Sequence, residues 1–249
     1  MQQTIEYIIF AEIITHTNIT KMTKKFILLF FLLPAAIMAQ NLQVHYDFGK
    51  DRNYVTTTLE MFKPDKWGNT FFFVDYDYNM YNEKHPSATY FEIARCLKFW
   101  NAPLSLHVEY NGGFGTYPVM GGYGAFPINN AYLIGVDYGL NNADFSKTLN
   151  LKALYKHIAG KQESVQLTAV WGLHFFNRKV SFTGFADFWL EDNTFMSGNT
   201  TRTTFITEPQ LWYNFNEHIS AGSEVEIATN FAGVEGLKVC PTLAVKWNF

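Results

Sequence analysis

Leu237-Lys238-Val239-Cys240-Pro241-Thr242-Leu243-Ala244-Val245-Lys246-Trp247-Asn248-Phe249 ends the chain, and every odd position in it is apolar. Successive side chains of a strand point to opposite faces, so this segment offers one face to lipid and the other to water. An alternating strand that ends on an aromatic residue is how outer-membrane barrels close. The expected fold is an all-β transmembrane antiparallel β-barrel.

The same alternation recurs upstream, over 42–49, 54–63, 70–79, 88–99, 104–110, 132–139, 149–156, 165–174, 180–191, 201–213 and 219–227. With the closing strand this makes twelve strands, an even number as single-chain bacterial barrels have, with both ends expected on the periplasmic side. Pro64, Gly68 and Asn69 mark one turn, and Asn101-Ala102-Pro103 another. The run 80–87 reads as a polar loop, and 112–129, rich in Gly, Tyr, Phe and Pro, as the longest loop. Arg95 interrupts an otherwise apolar outward face.

From Met22 the chain reads Thr23-Lys24-Lys25, then an apolar run from Phe26 to Met38, then Ala39-Gln40. A basic start, an apolar stretch and a small residue at the cleavage point are those of a secretory signal peptide. The run is too short to span a membrane as a helix, which needs about 20 residues. Residues 1–39 are therefore expected to be an upstream segment plus signal peptide, with a start at Met22. Residues 40–249 would be a single barrel in the outer membrane of a Gram-negative bacterium.

Aromatic residues make up 18% of the chain, with 24 Phe, while charged residues make up only 16%. Soluble domains carry about 25% charged residues, and aromatic girdles at both interfaces account for the excess of rings. A net charge of −3 argues against a nucleic-acid binder. Cys96 and Cys240 are too few for a disulfide framework. Both fall on inward faces, where either a bridge or two buried thiols is open to them.

The inward face collects Asp47, Glu60, Asp75, Asp77, Glu92, Glu109, Asp137, Asp187, Glu208, Glu224 and Glu226, against Lys152, Lys156, Lys238 and Lys246 with His45, His107 and His174. Such a lumen repels anions and admits neutral or cationic solutes. Phe71 and Phe73 share a face with Asp75 and Asp77, and Phe185 and Trp189 with Asp187. Rings beside carboxylates suit a ligand with a flat ring that stacks and hydroxyls that donate. The candidate lumen-binding residues are Glu60, Phe73, Asp75, Asp77, Glu92, His107, Glu109, Asp137, Asp187, Trp189 and Glu208. No two of the histidines have helix-like or hairpin-ligand spacing, so neither a metal site nor a cofactor is expected.

Five stretches carry a resemblance. They are Thr58-Leu59-Glu60-Met61-Phe62 leading through Asp65-Lys66-Trp67 to Phe73-Val74-Asp75-Tyr76-Asp77; Tyr90-Phe91-Glu92-Ile93; Asn130-Ala131-Tyr132-Leu133-Ile134-Gly135-Val136-Asp137; Phe182-Thr183-Gly184-Phe185-Ala186-Asp187-Phe188-Trp189; and the terminal strand. In order along residues 45–249 these resemble the Tsx-like nucleoside-specific channel family of outer-membrane barrels, as a branch with shorter loops. The resemblance implies a monomeric twelve-stranded channel for nucleosides and related compounds.

The expected function is passive, selective uptake of small neutral or cationic solutes. Its partners would be outer-membrane lipid, a nucleoside-like permeant and the barrel-assembly machinery, which would read Phe249. Two other classes compete with it. A lipid-active enzyme needs a Ser–His pair on the outer wall; Ser105 and His107 share a face, but the inward one, and Gly-x-Ser-x-Gly is absent from the sequence. A surface receptor would rest on 112–129, through Tyr117, Tyr123 and Phe126.

Overall fold

A computed structural model describes residues 39–78, 80 and 85–249. The expected signal peptide up to residue 38, and residues 81–84 of the 80–87 loop, lie outside the described residues.

The strands are β1 (Ala39–Asp47), β2 (Tyr54–Asp65), β3 (Gly68–Tyr78), β4 (Pro86–Leu97), β5 (Leu104–Val119), β6 (Gly122–Asn141), β7 (Lys147–Ile158), β8 (Ser164–Phe175), β9 (Val180–Thr194), β10 (Thr200–Thr207), β11 (Gln210–Asn214), β12 (Ile219–Thr229) and β13 (Leu237–Asn248). Each of β1 to β9 pairs antiparallel with the next, and β13 pairs with both β12 and β1, so the sheet closes. Closure leaves no unpaired edge, the condition for strands to cross lipid.

Thirteen segments make twelve staves. β10 and β11 are two halves of the expected strand 201–213, parted at Glu208-Pro209. The register runs through unshifted: Ile206 faces Asp187 and Gln210 faces Thr183 on β9, while Ile206 faces Ala228 and Gln210 faces Glu224 on β12. Proline has no N–H to donate, so the ladder is interrupted there without slipping. Gly184 makes room for it. Its φ is +152°, and a Cβ on it would lie 2.6 Å from Glu208 O and 2.8 Å from Trp171 Cζ2.

The registers fix which side chains face the lumen. Leu42, Val44 and Tyr46 lie opposite Trp247, Val245 and Leu243, and all are exposed on the outer wall. Gln43, His45 and Asp47 between them are buried inside. Trp67, Phe99, Tyr138, Tyr213 and Trp247 ring the outer wall near the chain ends, and Tyr46, Tyr76, Tyr132 and Tyr155 ring it at the opposite end; each is exposed or part-exposed. These are the two aromatic girdles of a membrane barrel. Arg95, the charge on the outer face, sits at the rim near the chain ends. It forks onto Asp65 at 2.6 and 2.9 Å and onto Thr70 Oγ1 at 3.0 Å. A charge is cheap at the interface and expensive at the bilayer midplane.

The expected loop 112–129 is a correction. It is a β-hairpin, the upper half of β5 and β6, turning at Met120-Gly121. β4 follows β5 only to Gly115, and β7 follows β6 only from Ala131, so the tip stands free of lateral strands. Two of its glycines, Gly115 and Gly124, lie under aromatic rings. Gly115 lies under Phe126, and a Cβ on Gly124 would lie 2.5 Å from Tyr117 Cζ. Tyr117, Tyr123 and Phe126, the residues of the receptor reading, stand on this paired hairpin.

Candidate functional site

Inside the barrel the charges fall into two arcs. On β1–β3, β10–β13 and their connections stand Asp47, Glu60, Asp75, Asp77, Glu208, Glu224 and Glu226, with Arg52, Lys238 and Lys246. On β4–β9 stand Glu92, Glu109, Asp137 and Asp187, with Lys152 and Lys156. Glu208, at the β10–β11 break, interacts electrostatically with Glu224, Glu226 and Asp75. Glu92 does so with Glu109, Lys152 and Asp187.

The partners of these carboxylates are mostly uncharged. Thr58 Oγ1 donates to Asp75 Oδ1 at 2.5 Å, and Thr56 Oγ1 to Asp77 Oδ1 at 2.5 Å. Gln210 Nε2 donates to Glu224 Oε2 at 2.6 Å, and Asn41 Nδ2 to Glu60 Oε1 at 2.8 Å. A hydroxyl or amide satisfies a carboxylate's lone pairs and leaves its charge in place. Two lumen lysines are turned to aromatic faces. Lys156 Nζ lies 3.9 Å above the Trp189 ring and Lys246 Nζ 3.9 Å above the Trp212 ring, within cation–π range. Asp75, Asp77 and Glu208 make no ion pair among the described residues. The described lumen therefore holds more carboxylates than cationic side chains.

Phe73 and Tyr90 form a ring platform, with centroids 5.8 Å apart and Phe71 6.0 Å beyond Phe73. The registers surround it with acids. Phe73 lies opposite Glu60 on β2 and Glu92 on β4, and Tyr90 lies opposite Asp75. Of the sequence candidates, the fold gathers Glu60, Phe73, Asp75, Asp77 and Glu92 on three adjacent strands. Tyr90 joins them; the strand alternation alone placed it inward, but only the register placed it against Phe73.

Asp187 and Trp189 are inward on β9, in different surroundings. Trp189 is packed with Leu133, Leu154, Ile158, Ile206 and Ala228, with Phe185 and Phe231 against the cluster. Lys156 covers one side of its ring, Phe231 meets it edge-on at 5.9 Å, and its Nε1 donates to Glu191 Oε2 at 2.9 Å. Trp189 is buried, whereas Phe73 and Tyr90 are half-buried. One oxygen of Asp187, Oδ1, is buried without a hydrogen-bond partner.

His107, Glu109 and Asp137 form a third group, on β5 and β6. His107 Nε2 lies 2.7 Å from Glu109 Oε2, and Asn150 Nδ2 donates to Asp137 Oδ1 at 2.7 Å. Cys96 completes the group, 3.3 Å from His107 Nδ1. The two cysteines are free, buried thiols. Ser105 and His107 both face inward, away from the lipid surface that a lipid-active enzyme would use.

A closed antiparallel barrel with an apolar outer band, two aromatic girdles and a polar, acidic interior is an outer-membrane β-barrel. The chain belongs to the family described as a domain of unknown function, DUF5020, whose model matches residues 39–249. No curated protein matches it. Among solved structures, the NanC porin is similar at 10% identity and a TM-score of 0.55, with 85% of this chain and 100% of that one covered. The KdgM porin is matched at 11% identity and a TM-score of 0.48, over 85% and 99%. The Acinetobacter baumannii outer membrane protein Omp33 is matched at 13% identity and a TM-score of 0.42, over 85% and 99%. At these identities the likeness to NanC bears on the fold alone.

Proposed function

We propose that this protein is a passive outer-membrane channel selective for small neutral or cationic solutes, with nucleoside-like compounds as the candidate permeants. The observation that carries this reading is the excess of acid in the lumen: Asp75 and Asp77 are hydrogen-bonded by threonines, neither they nor Glu208 makes an ion pair among the described residues, and Lys156 and Lys246 are set over tryptophans. Charges whose only role was to brace the wall would pair with those lysines. Carboxylates left this way repel anions along the path.

The nucleoside element rests on the Phe73–Tyr90 platform. A base stacks on a ring face, and ribose hydroxyls donate to flanking carboxylates such as Asp75, Glu60 and Glu92. The channel works as a monomer, and Phe249 at the end of the closing strand is the element read by the barrel-assembly machinery.

The test is reconstitution of the mature chain into planar bilayers and liposomes. The expected results are discrete conductance steps, a reversal potential in a salt gradient that favours cations, and partial current block by added nucleosides. Absence of conductance and of solute flux from folded, inserted protein sinks the channel reading. Conductance that nucleosides leave unchanged sinks only the permeant.

A further inference from the structure

We infer that Cys96, His107 and Asp137 form a metal-ion site of the zinc class inside the barrel wall. Cys96 on β4 lies directly opposite His107 on β5. Asp137 on β6 lies opposite Ser105, two residues before His107, and Gly135 opposite His107 adds no side chain between them. The three donor atoms all lie within 4.8 Å of one another. Cys96 Sγ is 3.3 Å from His107 Nδ1 and 3.4 Å from Asp137 Oδ2. Zinc–sulfur and zinc–nitrogen bonds of the usual length, set at tetrahedral angles, put sulfur and nitrogen about 3.5 Å apart. The two distances from sulfur are therefore already those of a shared zinc ion.

The outer partners are those of a metal centre. Glu109 Oε2, 2.7 Å from His107 Nε2, accepts a hydrogen bond from Nε2–H in the tautomer that leaves Nδ1 with a lone pair toward the cluster. Asn150 Nδ2 holds the other oxygen of Asp137. In that tautomer Nδ1, Sγ and Oδ2 are three acceptors sharing one thiol proton. A cation between them, with Cys96 as thiolate, resolves the deficit. Opposite charges also surround the cluster. Thiolate, Asp137 and Glu109 face a divalent ion and Lys152, which lies opposite Asp137 on β7, with Glu92 beside Glu109 and Lys152. A mixed sulfur, nitrogen and oxygen set favours zinc-like ions over calcium or magnesium. Cys96, His107 and Asp137 are 4%, 0% and 5% exposed, so the cluster admits an ion but excludes a larger substrate.

The test uses the mature chain carrying Cys240→Ser, refolded in detergent, so that Cys96 is the remaining thiol. Titration with cobalt(II) is expected to give a thiolate-to-metal charge-transfer band that saturates at one ion per chain and is displaced by zinc. Glu109→Gln is expected to weaken binding by about tenfold or more, the usual effect of losing a partner that orients a ligand. Lys152→Gln, which removes the neighbouring cation, is expected to tighten it. A folded protein that shows no charge-transfer band under excess cobalt overturns the proposal. So does one-to-one binding of unchanged affinity in folded Cys96→Ser, Cys240→Ser protein. If that double variant does not fold, the band in the Cys240→Ser chain alone decides.

Discussion

Arg52 reaches across β13 to Glu226. Its Nη2 lies 2.8 Å from Glu226 Oε1 on β12, while its Nη1 lies 2.8 Å from Asp47 Oδ2 at the end of β1. β1 and β12 share no backbone hydrogen bonds, so this one guanidinium ties together the two strands that flank the closing one. All three side chains are mostly buried, so removing the cation leaves two uncompensated charges.

Arg52→Met is therefore expected to destabilise the folded barrel by about 3 kcal/mol, read as a lower midpoint for the heat-dependent mobility shift on a semi-native gel. The surviving barrel should also be more cation-selective, because Asp47 and Glu226 are released. An unchanged midpoint means the bridge is not made in detergent.

Asp75→Asn with Asp77→Asn keeps the threonine hydrogen bonds and removes two charges. Even with the screening of bulk water, a unit charge about 4 Å from the path is worth about 1 kcal/mol. The cation-over-anion permeability ratio should fall at least about fivefold in a reversal-potential measurement. If the ratio holds, these two residues are wall and the selectivity lies elsewhere.

Gly184→Ala places a methyl group against Glu208 O, Trp171 and Pro209 at a φ of +152°. The expected loss is about 2–3 kcal/mol, with a lower urea midpoint in detergent or lipid. Gly160→Ala, at a turn where nothing lies within 4 Å of a Cβ, carries only the backbone penalty and serves as the comparison.

Glu235 joins two loops at the end remote from the chain termini. Ser197 Oγ and Asn199 Nδ2 donate to its two oxygens at 2.6 Å each. These bonds hold its carboxyl below its ordinary value of 4.5. The sign follows from the depression: the link is fully present above about pH 4.5 and is lost as pH falls through the lower folded value. Amide exchange over 195–199 and 230–236 should be slow at pH 6 relative to intrinsic rates and lose its protection near pH 3. Glu235→Gln should show the unprotected pattern at both.

Lumen and lipid faces were legible from alternation alone, because a one-residue slip would turn every side chain over. The acids of β2, β3, β4, β9 and β12 all point where the pattern of Leu59, Val74, Ile93, Phe188 and Ile227 puts them. Residues 112–129 misled because glycine lowers strand propensity locally, whereas here Tyr117 and Phe126 fill the space above the glycines. The platform and the thiol cluster needed register as well as face. Cys96 and His107 are symmetric about the Asn101-Ala102 turn, and that symmetry is the signal that pairs them. Asp137 is brought in by the next hairpin, whose register depends on how far the 112–129 segment stays paired.

The backbone of Phe249 donates to the carbonyl of Gln40 at 3.0 Å, and β1 runs beside β13 along its length. Every other ladder in the wall joins strands close together in sequence, so the entropy of bringing distant segments together is concentrated at this single seam. Linking 249 to 39 and opening the chain at Met120-Gly121 would preserve each cross-strand partner while moving that burden to β5 and β6. The cylinder itself has no preferred first stave; which one is made last is a property of where the polypeptide is cut.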